Sequence, residues 1–427
     1  ETISGESGVY YRIRKLKNVH AGGSPPHRNR RRSSMKYDFD MVSNRRDTDS
    51  LKWDTTENGL SMCGAGMVFT AAPEVRSVVE GLAGQGMFGE QTIPEEWYQA
   101  YTGWWKERHG FLMEKDWFVF CSGVVPAISG IIRKLTTPAE QVLLLTPVYD
   151  SLFASIVDNG RQVLESPLKY DGERYRADFQ DLERKLADPQ TTLMILCNPH
   201  DPAGIIWDRE MLAGVGELCV KYHVTVIADE NGCDLTAPGR SYIPFASVSE
   251  NCRKNSITCI SPAKAFNLAG LQTASVVVPD ERLRHKVVRG LNTDAVASPN
   301  TFSAAAAIAA YTRGASWLDA LRDYLAENRQ AAIAFMKKEI PQIKAYPSDA
   351  GYFLWLDCRE MAGGAAEMAR FICKNTGLCV SPGNRSGGNG RGFLQMNIAC
   401  PHTLLQDGLN RLRDGAASYG EYVISRC

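Results

Sequence analysis

Ser256-Ile257-Thr258-Cys259-Ile260-Ser261-Pro262-Ala263-Lys264 reads as a short, apolar, β-branched strand stopped by Ser-Pro, with a lysine just past the stop. Proline cannot extend a β-ladder, so Lys264 must lie beyond the strand's carboxyl end. The same pattern recurs upstream. Val142–Leu145 ends in Thr-Pro-Val-Tyr149, Leu193–Cys197 ends in Asn198-Pro199-His200, and Val224–Ala228 ends in Asp229. Between the last two, Glu210 to Lys221 carries an apolar stripe of Leu212, Val215, Leu218 and Cys219, a helix of the length a βαβ crossover needs. Strands alternating with helices predict a mostly parallel α/β sheet. Such sheets bind ligands at the carboxyl ends of their strands, so these four distant clusters are expected to converge on one site.

The rest of the chain frames that sheet. From Ala304 an Ala-rich helical region leads to long amphipathic helices, then to the strand-like Tyr352–Leu356 and Phe393–Ile398, the pattern of a smaller α+β domain. The domains expected are a large one over residues 81–310 and a small one built from 35–80 and 311–427. Residues 1–34, with Gly22–Pro26 and the basic run Arg28, Arg30, Arg31 and Arg32, read as a disordered segment, whether a linker or sequence upstream of a start at Met35.

Composition narrows the function classes. The 427 residues hold 48 Lys+Arg and 48 Asp+Glu. With no net charge there is no global field toward nucleic acid or an anionic membrane, and neither is expected as a partner. No apolar run reaches the roughly 18 residues of a membrane span and no apolar signal core opens the chain, so a cytoplasmic location is the expectation. The 12 Cys lack the paired spacing of a zinc site, no metal is expected, and most read as buried reduced thiols.

Each strand-end residue has a chemical reading beside a plain one. Lys264, set before Ala265-Phe266-Asn267-Leu268-Ala269-Gly270, suits imine chemistry because apolar surroundings disfavour a free ammonium; alone it would read as a snorkelling lysine. Asp229 ends a very apolar strand and needs a cationic partner, either a pyridinium nitrogen or an ordinary salt bridge, unless it caps a helix. Asn198 can donate its amide to a phenolic oxygen or simply make a turn. Tyr149 can lie flat against an aromatic ring or join the core. Cys121-Ser122-Gly123-Val124-Val125-Pro126 opens a helix, and the amides of Gly123, Val124 and Val125 could receive a phosphate, with Ser261 adding a hydroxyl.

Together these segments resemble the MalY/PatB-type cystathionine β-lyases, a carbon–sulfur lyase branch of the class I/II aminotransferase superfamily. The resemblance runs from about Tyr37 to Arg411. It is carried by Tyr37-Asp38-Phe39-Asp40, Ser50-Leu51-Lys52-Trp53-Asp54, Asn198-Pro199-His200-Asp201-Pro202-Ala203-Gly204, Ala228-Asp229-Glu230, Ser261 through Gly270, and Asn397-Ile398-Ala399-Cys400-Pro401. It implies the aspartate-aminotransferase fold (fold type I) and pyridoxal 5′-phosphate as cofactor. Lys264 would be the Schiff-base lysine, Asp229 the pyridine partner, Asn198 the ligand of the phenolic oxygen and Tyr149 the stacking ring. It further implies a homodimer and an amino-acid thioether substrate. The reaction would be an α,β-elimination in which the freed Lys264 amine takes the Cα proton, giving a thiol, pyruvate and ammonia.

The chain also departs from that family. Where the family has an arginine that grips the substrate α-carboxylate, this sequence has Gln395, and a neutral amide cannot replace a guanidinium fork. Arg391, Arg385 and Lys52 are candidate substitutes, each also readable as a surface charge. Met62-Cys63-Gly64-Ala65-Gly66-Met67-Val68-Phe69 lacks a Trp and two Asp usual there. Phe88-Gly89-Glu90-Gln91-Thr92 lacks the tyrosine that reaches the neighbouring subunit's cofactor phosphate, and Asn231-Gly232 stand where Ile-His is common. A C–S β-lyase is the leading reading. An aminotransferase of the same fold and a catalytically impaired regulator are the alternatives.

Overall fold

The computed structural model describes residues 37–42, 45–46, 48–50, 52–53 and 59–426; the basic segment 1–34, Met35, Leu51 and Asp54 lie outside them. The chain divides after Asp38, and its second compact unit starts at Phe39.

The centre of that unit is a seven-stranded sheet of β1 (Phe118–Cys121), β2 (Gln141–Thr146), β3 (Gln162–Pro167), β4 (Thr191–Cys197), β5 (Thr225–Asp229), β6 (Ser256–Ile260) and β7 (Ala274–Val277), in the spatial order β1-β7-β6-β5-β4-β2-β3. Strands β6 through β3 run parallel, and β7 is antiparallel to both of its neighbours. The strands expected at Val142, Leu193 and Ser256 are present, and the one expected at Val224–Ala228 is shifted by one residue so that Asp229 closes it.

Continuous apolar runs suit strands covered on both faces. Leu143, Leu145, Met194, Leu196, Val226 and Ala228 face one core, closed by Leu212, Val215 and Cys219 of the helix Arg209–Lys221. Val142, Leu144, Leu193, Ile195, Ile227 and Ile257 face the other, closed by Ile128, Ile131 and Ile132 of the helix Val124–Leu135. Asp208 starts the first of these helices by accepting from Met211 N at 2.8 Å, a cap that stabilises by about 1 kcal/mol.

Carboxyl-terminal to the large sheet lies a four-stranded sheet of β8 (Lys344–Ala345), β9 (Phe353–Asp357), β10 (Ser381–Pro382) and β11 (Phe393–Asn397), ordered β8-β9-β11-β10. Its lead-in is tied to loops of the large sheet, where Asp349 N and Ala350 N both donate to Gly204 O at 2.9 and 3.0 Å and Gly351 N donates to Leu235 O at 2.8 Å. Gly204 has φ +70°, and a Cβ there would meet Ala350 O at 2.2 Å, so this approach needs glycine.

Nine cysteines are free among the described residues, eight of them buried, but Cys373 and Cys379 are joined as a disulfide. The expectation of reduced thiols fails at this pair because the helix Ala365–Thr376 ends at Gly377, with φ +72°, and the chain folds back to bring the two Cα atoms to 4.6 Å.

Candidate active site

The register of the parallel strands builds the site. Cys197 pairs with Asp229, and Asp229 with Cys259, so β4, β5 and β6 end almost level. Asn198, Asp229 and the Ser261–Lys264 turn therefore emerge side by side at one sheet edge. Strand β1 runs in the same sense two positions away, which brings Gly123 and the start of the helix Val124–Leu135 to that edge too.

Asp229 is 5% exposed. Its Oδ2 accepts from Tyr149 OH at 2.5 Å and from Cys197 Sγ at 3.7 Å, and its Oδ1 accepts from Asn231 N at 3.2 Å. Burial pushes its carboxyl above the ordinary value, against the hydrogen bonds from Tyr149 and Asn231. Thus Tyr149 meets Asp229 through its hydroxyl, and burial together with the carboxylate pushes that phenol well up. Asn198 donates its amide to Ile243 O at 2.8 Å, while its Oδ1 is buried with no hydrogen-bond partner among the described residues.

Lys264 is ion-paired with Asp201 Oδ2, each side chain 15% exposed. Its Nζ also lies 6.0 Å from the ring centre of Tyr352 and 5.8 Å from that of Phe353. Burial opposes its charge, but Asp201, Tyr352 and Asp229 outweigh it and hold the ammonium above the usual lysine range. Asp201 Oδ1 is 3.5 Å from Gln395 Nε2, which connects Gln395 on β11 to the lysine. The loop carrying Asp201 is fixed by His200, whose Nε2 faces Pro147 O at 2.8 Å. Burial lowers the His200 pKa to about 4, so this ring is neutral.

The remaining expected residues are placed as follows. Ser261 donates its hydroxyl to Thr273 O at 2.6 Å and accepts from Ala263 N at 3.0 Å. Gly123 precedes a helix with no side-chain cap, and because Pro126 has no N–H, the Val124 and Val125 amides are that helix's first donors. Arg385 pairs with Asp150 at 2.8 Å on the surface, Arg391 is exposed, and Lys52 donates to Gly66 O at 2.7 Å. The altered segment around Gly64–Gly66 is held by Asn397 Nδ2, which reaches Gly64 O and Gly66 O at 2.7 and 3.0 Å, and by Tyr352 OH on Ala65 O at 2.5 Å.

Sequence reasoning missed Asp201, Tyr352 and Phe353 as neighbours of the lysine. Asp201 sits within the Asn198–Gly204 motif, and its carboxylate between two prolines was the available signal. Nothing in the sequence marked the two aromatics.

The family model for class I and II aminotransferases matches residues 84–412. The chain is 38% identical to cystathionine beta-lyase PatB of Bacillus subtilis over 381 residues, covering 88% of this chain and 98% of that protein. Among solved structures it is similar to cystalysin of Treponema denticola, which contains a pyridoxal 5′-phosphate cofactor, with a TM-score of 0.87 and 27% identity over 90% of this chain and 100% of that one. It is also similar to a PLP-bound C–S lyase of Staphylococcus hominis, with a TM-score of 0.84 and 28% identity over 90% of this chain and 99% of that one.

Proposed function

Because the chain belongs to the class I and II aminotransferase family, we propose that its site works as that of a pyridoxal 5′-phosphate-dependent carbon–sulfur β-lyase, with Lys264 as the catalytic residue. One observation carries the assignment of residues: a largely buried lysine, a buried carboxyl and a buried amide from three separate strand ends share one sheet edge.

The residues fit the cofactor. Asp229 is a carboxyl without a cation among its hydrogen-bond donors, which suits a positively charged ring nitrogen. Asn198 is tethered to Ile243 O through one amide hydrogen bond, and its second amide N–H would serve the phenolic oxygen. The Val124 and Val125 amides, with the positive end of their helix, suit the phosphate. When bound, the cofactor supplies an electron sink conjugated to the substrate Cα.

The chain supplies the rest. Lys264 would hold the cofactor through Nζ, and its free amine would be the base that takes the substrate Cα proton and returns it to the departing sulfur. Asp201 holds a proton on Nζ between those acts. The Tyr149 hydroxyl keeps Asp229 oriented, and the aromatic wall of Tyr352 and Phe353 shields the lysine from water.

A homodimer fits the exposed Met87 and Phe88, 73% and 61% accessible, in the segment where the resemblance places a contact with the neighbouring subunit. Among the described residues no helix is long and apolar enough to cross a membrane.

The test is absorbance of the PLP-loaded protein between about 300 and 500 nm, with thiol release from a panel of S-substituted cysteine derivatives and a Lys264→Ala control. A visible band lost in the control, with thiol released, supports the proposal. A band with no thiol from any derivative refutes the lyase reading, and no lysine-dependent band refutes the role of Lys264.

A further inference from the structure

The wall beside Lys264 carries the wrong charge for a carboxylate. A substrate amine replaces Lys264 Nζ at the cofactor, so the substrate Cα and its carbon substituent must come within two bonds of that nitrogen. Nζ is bonded to Asp201 Oδ2, and the other oxygen of that carboxylate, Oδ1, lies 3.5 Å from Gln395 Nε2. Among the described residues lining this cleft, Lys264 is the one cation, since His200 is neutral. Behind the wall, Arg329 spends Nη2 on Gly351 O at 2.6 Å and Ala350 O at 3.4 Å. While Lys264 is engaged with the cofactor, the remaining side-chain partner of Asp201 among the described residues is the Gln395 amide.

A free α-carboxylate brought here would face Asp201 across a few ångströms in a poorly hydrated cleft, with a single neutral donor in compensation. A carboxamide fits instead: its oxygen accepts from Gln395 Nε2, and its N–H donates to Asp201 Oδ1. We propose that Asp201 and Gln395 form a specificity pair selecting a substrate whose α-carboxyl is a neutral amide, an S-substituted cysteine carboxamide.

This rests on the lyase reading, and the elimination balances without any redox partner. The Cα–H and Cβ–S bonds break, the sulfur leaves with the electron pair and gains a proton, and water hydrolyses the remaining enamine after tautomerisation. The products are a thiol, pyruvamide in place of pyruvate, and ammonia.

The experiment titrates the PLP-loaded protein with S-benzyl-L-cysteine and S-benzyl-L-cysteinamide. Binding is read from the cofactor's visible absorbance and, separately, thiol release is measured. Half-saturation by the amide is expected at a concentration at least about tenfold lower than by the acid. The preference should shrink at least about tenfold in Asp201→Asn/Gln395→Arg. Comparing the ratio between wild type and variant removes the difference in intrinsic amine basicity, and a retained visible band shows that the variant is folded. The proposal is overturned if the acid binds as tightly as the amide, if the variant keeps the wild-type ratio, or if neither ligand changes the spectrum. Preferred binding of the amide without thiol release would uphold the specificity pair and refute the lyase reading instead.

Discussion

Replacing Asp201 by Asn removes the ion-pair partner of Lys264 while keeping the side chain's shape. Two unit charges about 4 Å apart interact by about 4 kcal/mol at an effective dielectric constant near 20, so the loss is worth at most ~4 kcal/mol, nearly a thousandfold in the acid dissociation of the lysine ammonium. Tyr352 and Asp229 continue to favour the charged form, while burial opposes it. The Lys264 pKa should therefore fall back toward the ordinary value of 10.5. Only the neutral amine adds to an aldehyde. In the wild-type apoprotein, cofactor capture should accelerate about tenfold per pH unit through the accessible alkaline range; in Asp201→Asn the rise should level off at lower pH. At about pH 7.5 the variant should capture pyridoxal 5′-phosphate between about tenfold and several hundredfold faster, followed by stopped-flow absorbance of the lysine-dependent band. Stability moves the other way. A lysine whose pKa is raised by folding stabilises the protein fully below 10.5 and loses that contribution as the pH climbs through the folded value, so the apo variant should melt lower at neutral pH. Equal capture rates with superimposable pH profiles would refute the reasoning.

Glu230, fully buried and accepting from Tyr242 OH at 2.6 Å and Phe245 N at 2.7 Å, has its pKa pushed by burial from 4.5 up to about 8. The folded state thus keeps a proton that the unfolded chain releases, and stability falls as pH rises from 4.5 toward 8. Below pH 6.5 His200 gives the opposite slope, so the Glu230 effect should stand out between pH 6.5 and 8 at about 2 kcal/mol, and Glu230→Gln should flatten urea denaturation midpoints across that window. Gly204→Ala places a methyl against Ala350 O at a positive φ and should destabilise by about 2–5 kcal/mol, read as a lower melting temperature, with weaker cofactor retention because the loop bearing Asp201 shifts. Asp229→Asn removes the buried carboxyl proposed to partner the ring nitrogen; thiol release should fall by at least about a hundredfold while the visible band persists.

Four neighbouring strands of the large sheet, β2, β4, β5 and β6, were legible because they are buried on both faces and therefore announce themselves as apolar runs ended by a proline or a polar residue, whereas β1, β3 and β7 were not anticipated. That punctuation alone places Asn198, Asp229 and Lys264 at one edge. Boundaries moved by a residue, as at Asp229, because the last ladder pair depends on the neighbouring strand's register. What the sequence hid was contact across the sheets. Asp201 reads as a loop residue until the turn at Gly204 carries it against Lys264, and Tyr352 and Phe353 come from a sheet built about ninety residues later. The Cys373–Cys379 bond was hidden likewise, since it arises where the chain reverses at Gly377 and not from any metal-like or framework spacing.

Asp201 sets the lysine two opposed tasks. By raising the ammonium it makes the amine a stronger base, yet leaves less of it free at neutral pH, and general-base catalysis depends on the product of the two. An arrangement of this kind gains most when the Cα proton is relatively acidic and the substrate itself relieves the pairing. A carboxamide does both: without a negative charge it destabilises a developing carbanion less than a carboxylate does, and its N–H can occupy Asp201 at the moment Lys264 must give it up. A carboxylate does neither, adding a second anion beside Asp201 while making the proton harder to remove. On this reasoning Gln395 and Asp201 act together, and Gln395→Arg alone should improve binding of a free acid less than the double replacement, because the new guanidinium would first be drawn into a pair with Asp201.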